Sequence, residues 1–161
     1  MPGNYFVHET SIISDSSTIG NGTKIWHFSH IRENTKIGKN VTIGQNVYID
    51  KDVVVGDNCK IQNNVSLYKG VILGNNVFIG PGVTFTNDLY PSVEGWDDSK
   101  ILSTTVEDGA SIGANTTLIC GVKIGENSLI GAGSLVTKDV PKNSLSYGNP
   151  SEVIKKNFKN K

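Results

Sequence analysis

The stretch IGKNVTIGQNVYI, residues 37–49, places isoleucine at every sixth position, at Ile37, Ile43 and Ile49. A period of six is neither the 3.6 of an α-helix nor the simple alternation of an ordinary strand. It fits a short strand followed by a sharp turn, with one large side chain of each repeat pointing to the same side. This spacing predicts that short strands wind around a common apolar interior.

The same spacing extends outward from this stretch over most of the chain. The large apolar residues at these positions are Val7, Ile13, Ile19, Ile25, Ile31, Ile37, Ile43, Ile49, Val55, Ile61, Leu67, Leu73, Ile79 and Phe85, then Val106, Ile112, Leu118, Ile124, Ile130 and Val136. Because 37% of the chain is hydrophobic, twenty such positions have a chance probability on the order of 10⁻⁹. The repeat therefore reflects the fold.

Two further columns accompany the large residues. A small or β-branched residue stands two positions earlier, as at Ser29, Val53 and Ala110, and glycine often follows, as at Gly38 and Gly56. Glycine supplies the backbone angles that a sharp turn needs. Stacked units of this kind bury a continuous aliphatic core, as hexapeptide β-helices do. The pattern predicts an all-β chain.

These repeats resemble the left-handed β-helix acyltransferases, the hexapeptide-repeat family. The resemblance implies three hexapeptides per eighteen-residue coil, so twenty repeats give between six and seven coils. Left-handed crossovers depart from the usual chirality rule and are implied by the resemblance alone. The expected fold is a left-handed parallel β-helix with an extended loop and a short C-terminal helix, forming a single domain over residues 1–161.

Two segments leave the repeat. The first, residues 86–105, is polar, contains Tyr90 and Trp96, and has no sixth-position residue. Loops that leave a rigid scaffold often carry function, although a spacer is the alternative. The second is the tail, residues 141–161. There Ser151 is predicted to cap a short helix with apolar residues on its inner side.

Composition limits the possible functions. Fifteen basic and fifteen acidic residues cancel, so nucleic-acid binding has little electrostatic support. No apolar run is long enough for a membrane span, and the start lacks a signal-peptide core. A cytoplasmic location is expected by default. Cys59 and Cys120 have no CxxC neighbour and are predicted to be packing thiols.

If eighteen residues make one coil, then residues eighteen apart stack. His27, Gln45 and Asn63 then form one column at a corner of the coil. Further columns are predicted for Asn46 with Asn64, for His30 with Tyr48, Ser66 and Thr84, and for Arg32 with Asp50, Tyr68 and Thr86. Amides suit sugar hydroxyls or a nucleobase edge, and aromatic rings suit stacking. The alternatives are amide ladders within the turns and a subunit interface.

Several segments resemble one group within this family more closely. WHFSHI (26–31), IGQNV (43–47), KIQNNVSLY (60–68), GPGVTFTN (80–87) and GANTTLICG (113–121) look like those of bacterial sugar N-acetyltransferases. Those enzymes acetylate the amine of a nucleotide-linked 3-amino sugar in surface-polysaccharide synthesis, such as that of lipopolysaccharide O-antigen. The resemblance implies acetyl-CoA as co-substrate, a UDP- or dTDP-linked acceptor, and a homotrimer with sites between subunits.

The resemblance also assigns roles to residues. It implies that Asn87 hydrogen-bonds the acceptor amine, and His27 is the rival general base. The predicted substrate-binding residues are Trp26, His30, Arg32, Gln45, Asn46, Gln62, Asn63, Asn64, Tyr68, Asp88 and Tyr90. The predicted cofactor-binding residues are Gly113, Ala114, Asn115, Gly131, Ala132, Lys138 and Pro150.

The sequence is also compatible with other functions of this fold. O-acetylation of a sugar, or N-acylation of a 4-amino sugar, is the main competitor. A γ-class carbonic anhydrase needs three histidines that converge on zinc. His8, nineteen residues before His27, is off the stacking period, so no metal is expected. A non-catalytic β-helix is disfavoured because the outward residues are irregular.

Overall fold

The computed structural model describes residues 4–94 and 97–159. The strands before the loop are β1 (Phe6–Val7), β2 (Ile12–Ile13), β3 (Thr18–Ile19), β4 (Lys24–Ile25), β5 (His30–Ile31), β6 (Lys36–Ile37), β7 (Thr42–Ile43), β8 (Tyr48–Ile49), β9 (Val54–Val55), β10 (Lys60–Ile61), β11 (Ser66–Leu67), β12 (Val71–Leu73), β13 (Phe78–Ile79) and β14 (Thr84–Phe85). A 3₁₀ helix (Asp98–Lys100) lies in the loop. It is followed by β15 (Thr104–Val106), β16 (Ser111–Ile112), β17 (Thr117–Leu118), β18 (Lys123–Ile124), β19 (Leu129–Ile130), β20 (Leu135–Val136), β21 (Ser144–Gly148) and β22 (Ser151–Lys156). None of the described segments is a helix with the length and apolarity needed to cross a bilayer.

Three sheets form the sides of the coil. The first sheet has the order β1-β4-β7-β10-β13-β16-β19-β21-β22, the second β2-β5-β8-β11-β14-β17-β20, and the third β18-β15-β12-β9-β6-β3. Neighbouring strands from β1 to β20 are parallel and in register, so that Ile43 lies between Ile25 and Ile61. The predicted parallel β-helix of eighteen-residue coils is confirmed. The pairing of β21 with β19 adds one level that the hexapeptide count did not supply.

The sixth-position residues fill the interior. Ile25, Ile43 and Phe85 have no exposed surface and belong to one continuous apolar cluster. Most of the small column is also buried, and two of its hydroxyl groups show how the next coil accepts their hydrogen bonds. The hydroxyl of Thr23 donates to the carbonyl of Gly38 at 2.9 Å, and Ser29 donates to Gly44 at 2.9 Å. Cys59 and Cys120 are buried, as expected for packing thiols.

The turns between strands share one backbone conformation. Their third residue has a left-handed φ between 54° and 63° at Asn34, Asn40, Asn46, Asp52, Asn58, Asn64, Asn76, Asn115 and Asn127. Asparagine and aspartate tolerate this conformation better than other residues with a side chain. The first turn position is often glycine because the coils touch there: a Cβ on Gly20 would lie 2.5 Å from the carbonyl carbon of Gly38.

The predicted loop leaves the coil after β14 and returns at Thr104, which starts β15 one residue before the predicted end of the loop. Trp96 lies outside the described residues. The returning end of the loop packs against the coil at Gly70. A Cβ on Gly70 would lie 2.7 Å from Cγ2 of Ile101. The amide of Thr104 donates to the carbonyl of Gly70 at 3.0 Å. The loop therefore replaces the turn between β14 and β15, at the second-to-third-sheet corner of a single coil.

The predicted C-terminal helix is wrong. Residues Ser151–Lys156 form β22, which pairs antiparallel with β21. The chain reverses at Asn149 and Pro150, and exposure then alternates, with Val153 half-buried and Ile154 51% exposed. The hairpin supplies hydrogen-bond partners to the last level of the first sheet, a need that a short helix does not meet. That tertiary requirement overrides the local helical pattern.

Replacement of Ile61 by alanine is expected to lower the free energy of unfolding by about 2–5 kcal/mol. Ile61 is fully buried at the centre of the first sheet, so the truncation leaves a cavity. Urea denaturation followed by circular dichroism measures the change. The control is Lys60→Ala on the same strand, whose side chain points outward and whose loss is expected to stay within about 0.5 kcal/mol. Equal losses for both variants would contradict the inward assignment.

Candidate functional site

The predicted site residues lie on the second sheet and at its two edges. The first corner, where the first sheet turns into the second, carries Trp26, His27, Gln45, Asn46, Gln62, Asn63, Asn64, Gly113, Ala114, Asn115, Gly131 and Ala132. The outer face of the second sheet carries His30. The second corner, where the second sheet turns into the third, carries Arg32, Tyr68, Asn87, Asp88 and Lys138, with Tyr90 further along the loop and Pro150 in the terminal hairpin.

The amide columns stack as predicted, and their contacts serve the coil. The side-chain oxygen of Asn63 accepts the backbone N–H of Gln45 at 2.8 Å. The side-chain amide of Asn46 donates to the side-chain oxygen of Asn64 at 2.9 Å. Asn46 and Asn64 also occupy left-handed turn positions, with φ of 56° and 60°. The turns by themselves explain the choice of asparagine at these positions. The exposed amide of Gln45 faces outward beside this ladder.

Three rings form a ladder on the outer face of the second sheet. The ring of Tyr48 meets that of His30 edge-on, with centroids 5.8 Å apart. On its other side the ring centroid of Tyr48 is 5.8 Å from that of Tyr68. Tyr68 is 39% exposed, so the ladder offers an aromatic surface that spans three levels of the coil.

Asp50, to which sequence reasoning gave no role, fixes one end of this ladder. Its carboxylate accepts the hydroxyl of Tyr48 at 3.1 Å and lies 3.5 Å from a guanidinium nitrogen of Arg32. It also accepts the backbone N–H groups of Lys51 and Lys69, at 2.8 and 3.2 Å. Burial raises the pKa of Tyr48, so its phenol stays protonated and donates. The eighteen-residue spacing between Arg32 and Asp50 was the available sequence signal.

The loop is tied to the second corner by charge. The ammonium of Lys69 lies 2.5 Å from the carboxylate of Asp98 and 3.4 Å from that of Asp52. Lys51 approaches Asp98 at 3.7 Å. The hydrogen bond from Lys69 is the main cause that lowers the pKa of Asp98. Together with the seat of Ile101 on Gly70, these ion pairs fix the returning arm of the loop.

The loop forms a pocket of its own beside this anchor. The pocket has a volume of about 420 Å³ and is lined by Asp88, Leu89, Tyr90, Ser99, Lys100 and Leu102. Asp88 accepts the backbone N–H of Tyr90 at 2.8 Å, and the ring of Tyr90 is largely exposed. Asn87, at the start of the loop, is half-buried. The predicted Asp88 and Tyr90 are thus brought together next to Asn87.

The two candidate catalytic residues are not brought together within one chain. His27 lies at the first corner, next to β5, whereas Asn87 follows β14 at the second corner. β5 and β14 are three levels apart in the second sheet, roughly 14 Å along the axis at the usual strand spacing. Gln45 and Asn63 are separated from Asn87 by the width of the same sheet. A single chain therefore does not present His27 and Asn87 to one reacting atom.

His27 has a neighbour that the stacking rule did not predict. The ring centroid of His8 lies 3.6 Å from that of His27, with the planes 31° apart. Residues 4–94 and 97–159 contain no group of three His, Cys, Asp or Glu side chains placed to hold a metal ion. The paired histidines lie at the first corner, where the ring centroid of His27 is also 6.1 Å from that of Phe28.

The predicted cofactor residues occupy two places. Gly113 and Gly131 lie at the first corner, where the coils leave no room: a Cβ on Gly113 would be 2.5 Å from the backbone nitrogen of Ala132. The coil itself requires these small residues. Lys138 and Pro150 instead line a cleft of about 250 Å³ between the last coil and the terminal hairpin.

Replacement of Asp98 by asparagine is expected to loosen the loop. Because exposed ion pairs contribute little, chymotrypsin cleavage after the exposed Leu102, in the returning arm of the loop, should become about two- to fivefold faster. The lowered pKa of Asp98 gives the pH dependence: its stabilising contribution is present at neutral pH and is lost in acid, below about pH 4. Glu94→Gln, in the same loop, is the control and should cleave at the wild-type rate. Equal rates for Asp98→Asn and wild type at neutral pH would show that the ion pairs do not anchor the loop.

Comparison with protein families agrees with the repeat. The chain matches the bacterial transferase hexapeptide (six repeats) family over residues 16–51, 52–87 and 103–138. It also matches the hexapeptide repeat of succinyl-transferase over residues 34–69.

Individual relatives match over shorter stretches. The dTDP-3-amino-3,6-dideoxy-alpha-D-galactopyranose 3-N-acetyltransferase of Aneurinibacillus thermoaerophilus is 52% identical over 50 residues, which are 31% of this chain and 26% of that protein. Bifunctional protein GlmU of Thermosipho africanus is 48% identical over 63 residues, which are 39% of this chain. This match spans only 14% of the length of GlmU.

Solved structures share the fold. The hexapeptide-repeat acetyltransferase VCA0836 of Vibrio cholerae, complexed with acetyl coenzyme A, superposes with a TM-score of 0.63 at 27% identity, covering 72% of this chain and 67% of that one. PerB of Caulobacter crescentus, in complex with CoA and GDP-perosamine, gives a TM-score of 0.55 at 21% identity, covering 94% and 57%. At 21% identity, PerB supports the fold alone.

Proposed function

Because this chain belongs to the bacterial transferase hexapeptide family, we propose that it is an N-acetyltransferase using acetyl-CoA and a nucleotide-linked amino sugar. The acceptor amine is at position 3 of the sugar, and the product serves the synthesis of a surface glycan such as lipopolysaccharide O-antigen. The observation that carries the proposal is the 52% identity to a dTDP-3-amino-sugar 3-N-acetyltransferase over 50 residues. Neighbours crystallised with CoA or acetyl-CoA support the choice of co-substrate.

The scaffold supports this chemistry at the edge of the second sheet. Acetyl transfer needs a neutral amine, a thioester in line with it, and a donor for the developing oxyanion. Asn87 stands where the loop leaves the coil, half-buried and next to the loop pocket. Its side-chain carbonyl accepts one N–H of the acceptor amine and directs the nitrogen lone pair at the thioester carbonyl.

The reaction needs no dedicated general base to remove the amine proton. The amine nitrogen forms a bond to the acetyl carbon, the carbon–sulfur bond breaks, and the leaving thiolate takes the amine proton. His27 is the rival acceptor of that proton. Since His27 and Asn87 lie at opposite edges of the sheet in one chain, only one of them acts in a site made by a single chain.

In a site formed between two copies of this chain, His27 of one copy and Asn87 of the other can both face the acceptor. The chain would form a homotrimer in which the second corner of one subunit, with Asn87, faces the aromatic and amide corner of its neighbour. The ladder of His30, Tyr48 and Tyr68, 5.8 Å from ring to ring, then lines the groove for the acceptor. The upper levels, with the cleft at Lys138 and Pro150, would hold the coenzyme.

Replacement of Asn87 by alanine is expected to lower kcat/KM by about 10²–10³, the loss typical of one hydrogen bond made in the transition state. Thiol release with acetyl-CoA and a panel of 3-amino, 4-amino and hydroxyl nucleotide sugars measures it. Asn58→Ala, in a turn away from the second sheet, controls for the loss of an asparagine.

The same panel separates the alternatives. His27→Ala should leave most of the turnover with the 3-amino acceptor. If His27→Ala alone abolishes turnover, Asn87 does not orient the amine. Turnover of a hydroxyl acceptor without turnover of any amine would identify an O-acetyltransferase. Preference for the 4-amino acceptor would instead show that the acetylated amine is at position 4 of the sugar.

A further inference from the structure

One turn of the coil breaks the rule that the others obey. In the described part of the chain, every residue with a left-handed φ is asparagine, aspartate or glycine except Phe28, whose φ is 57°. A bulky side chain is unfavourable in this conformation. Backbone outliers of this kind persist only where the surrounding structure over-determines them, and they cluster at functional sites.

The first coil holds Phe28 in place. Its backbone N–H donates to the hydroxyl oxygen of Thr10 at 2.9 Å. That hydroxyl lies 3.0 Å from Nδ1 of His8, which also accepts the backbone N–H of Thr10 at 3.3 Å. The ring of His8 in turn lies against that of His27, with centroids 3.6 Å apart. Three residues of two coils therefore fix the strained turn.

The strain does not serve the core. The side chain of Phe28 is 61% exposed, and its neighbour Trp26 is 40% exposed. The ring centroid of Phe28 is 6.1 Å from that of His27. An asparagine here, as in the turn of the next coil at Asn46, would relieve the strain and cost no buried contact. An exposed ring kept at this position points to a ligand.

The neighbours of the ring indicate the kind of ligand. One coil further along the same corner lie Gln45 and Asn46, both exposed. A flat ring beside amides that donate and accept hydrogen bonds matches a heterocyclic base, which has an aromatic face and a polar edge. The corner has no charged residue in these two turns, which read WHF and GQN, so it suits the base better than the phosphates.

We infer that Phe28 stacks against the base of the nucleotide-linked acceptor and that the amide of Gln45 hydrogen-bonds the edge of that base. The inference rests on the proposed function, because it assumes a nucleotide-linked acceptor. It adds a specificity-determining contact at the first corner, away from the loop that carries Asn87.

The test is Phe28→Asn, which installs the residue that the turn prefers. We expect the Tm to rise by about 2–4 °C, while the Kd for UDP or dTDP, measured by calorimetric titration without acetyl-CoA, weakens about tenfold. Phe28→Tyr keeps the ring and should keep the wild-type affinity. The matched control is Asn40→Phe, which places phenylalanine in a left-handed turn at a different corner. It should lower the Tm and leave nucleotide affinity unchanged.

Each of the other outcomes contradicts either the stacking inference alone or the inference together with the proposed function. If Phe28→Asn binds the nucleotide as wild type does, the stacking inference is wrong, and turnover of nucleotide amino sugars by the wild type keeps the proposed function intact. If the variant changes the oligomeric mass and not the affinity, Phe28 is an interface residue and the inference also fails. If the wild type binds neither nucleotide and acetylates only acceptors without one, the inference and the proposed function both fail.

Discussion

The rest of this molecule depends on the backbone hydrogen-bond ladder that holds residues eighteen apart in register. The amide of Trp26 donates to the carbonyl of Ile43 at 3.0 Å, and that of Asn46 donates to His27 at 2.9 Å. Because β1 to β20 are each only two or three residues long, none of these strands has stability apart from the levels above and below it. The register of this ladder stacks the buried isoleucines, and it equally stacks the outward residues into columns.

The coil was predictable because burial and register depend on the same spacing. Ile37, Ile43 and Ile49 fixed the inward positions, and the columns followed by arithmetic. The terminal hairpin was not predictable, because Val153 and Ile154 fit a helical pattern as well as a strand. What decided between them was the open edge of the last level, which only the folded chain presents.

The stacking of the candidate site residues into columns was predictable from the sequence, whereas the contacts of their side chains were less so. Asn46 and Asn64 were identified correctly as stacked amides, but their conformation shows that the turn alone requires asparagine. Asp50 was predicted to stack with Arg32 but was given no role. The hydrogen bonds that its carboxylate accepts from Tyr48 and from two backbone amides depend on side-chain geometry. The meeting of His8 with His27 was missed because ring size lets residues nineteen apart touch.

The loop interrupts the chain without interrupting the ladder. Leu73 pairs with Val55, eighteen residues before it, and with Val106, thirty-three residues after it, in the same parallel arrangement. A segment of any length can therefore leave after β14 and rejoin at β15, provided that its two ends meet at the same corner of the coil. A single residue inserted within a strand would instead move the inward side chain of that strand to the outer face. The scaffold therefore accommodates length changes in the segment next to Asn87, whereas its two-residue strands do not, so this corner can diverge in sequence while the solenoid is inherited intact.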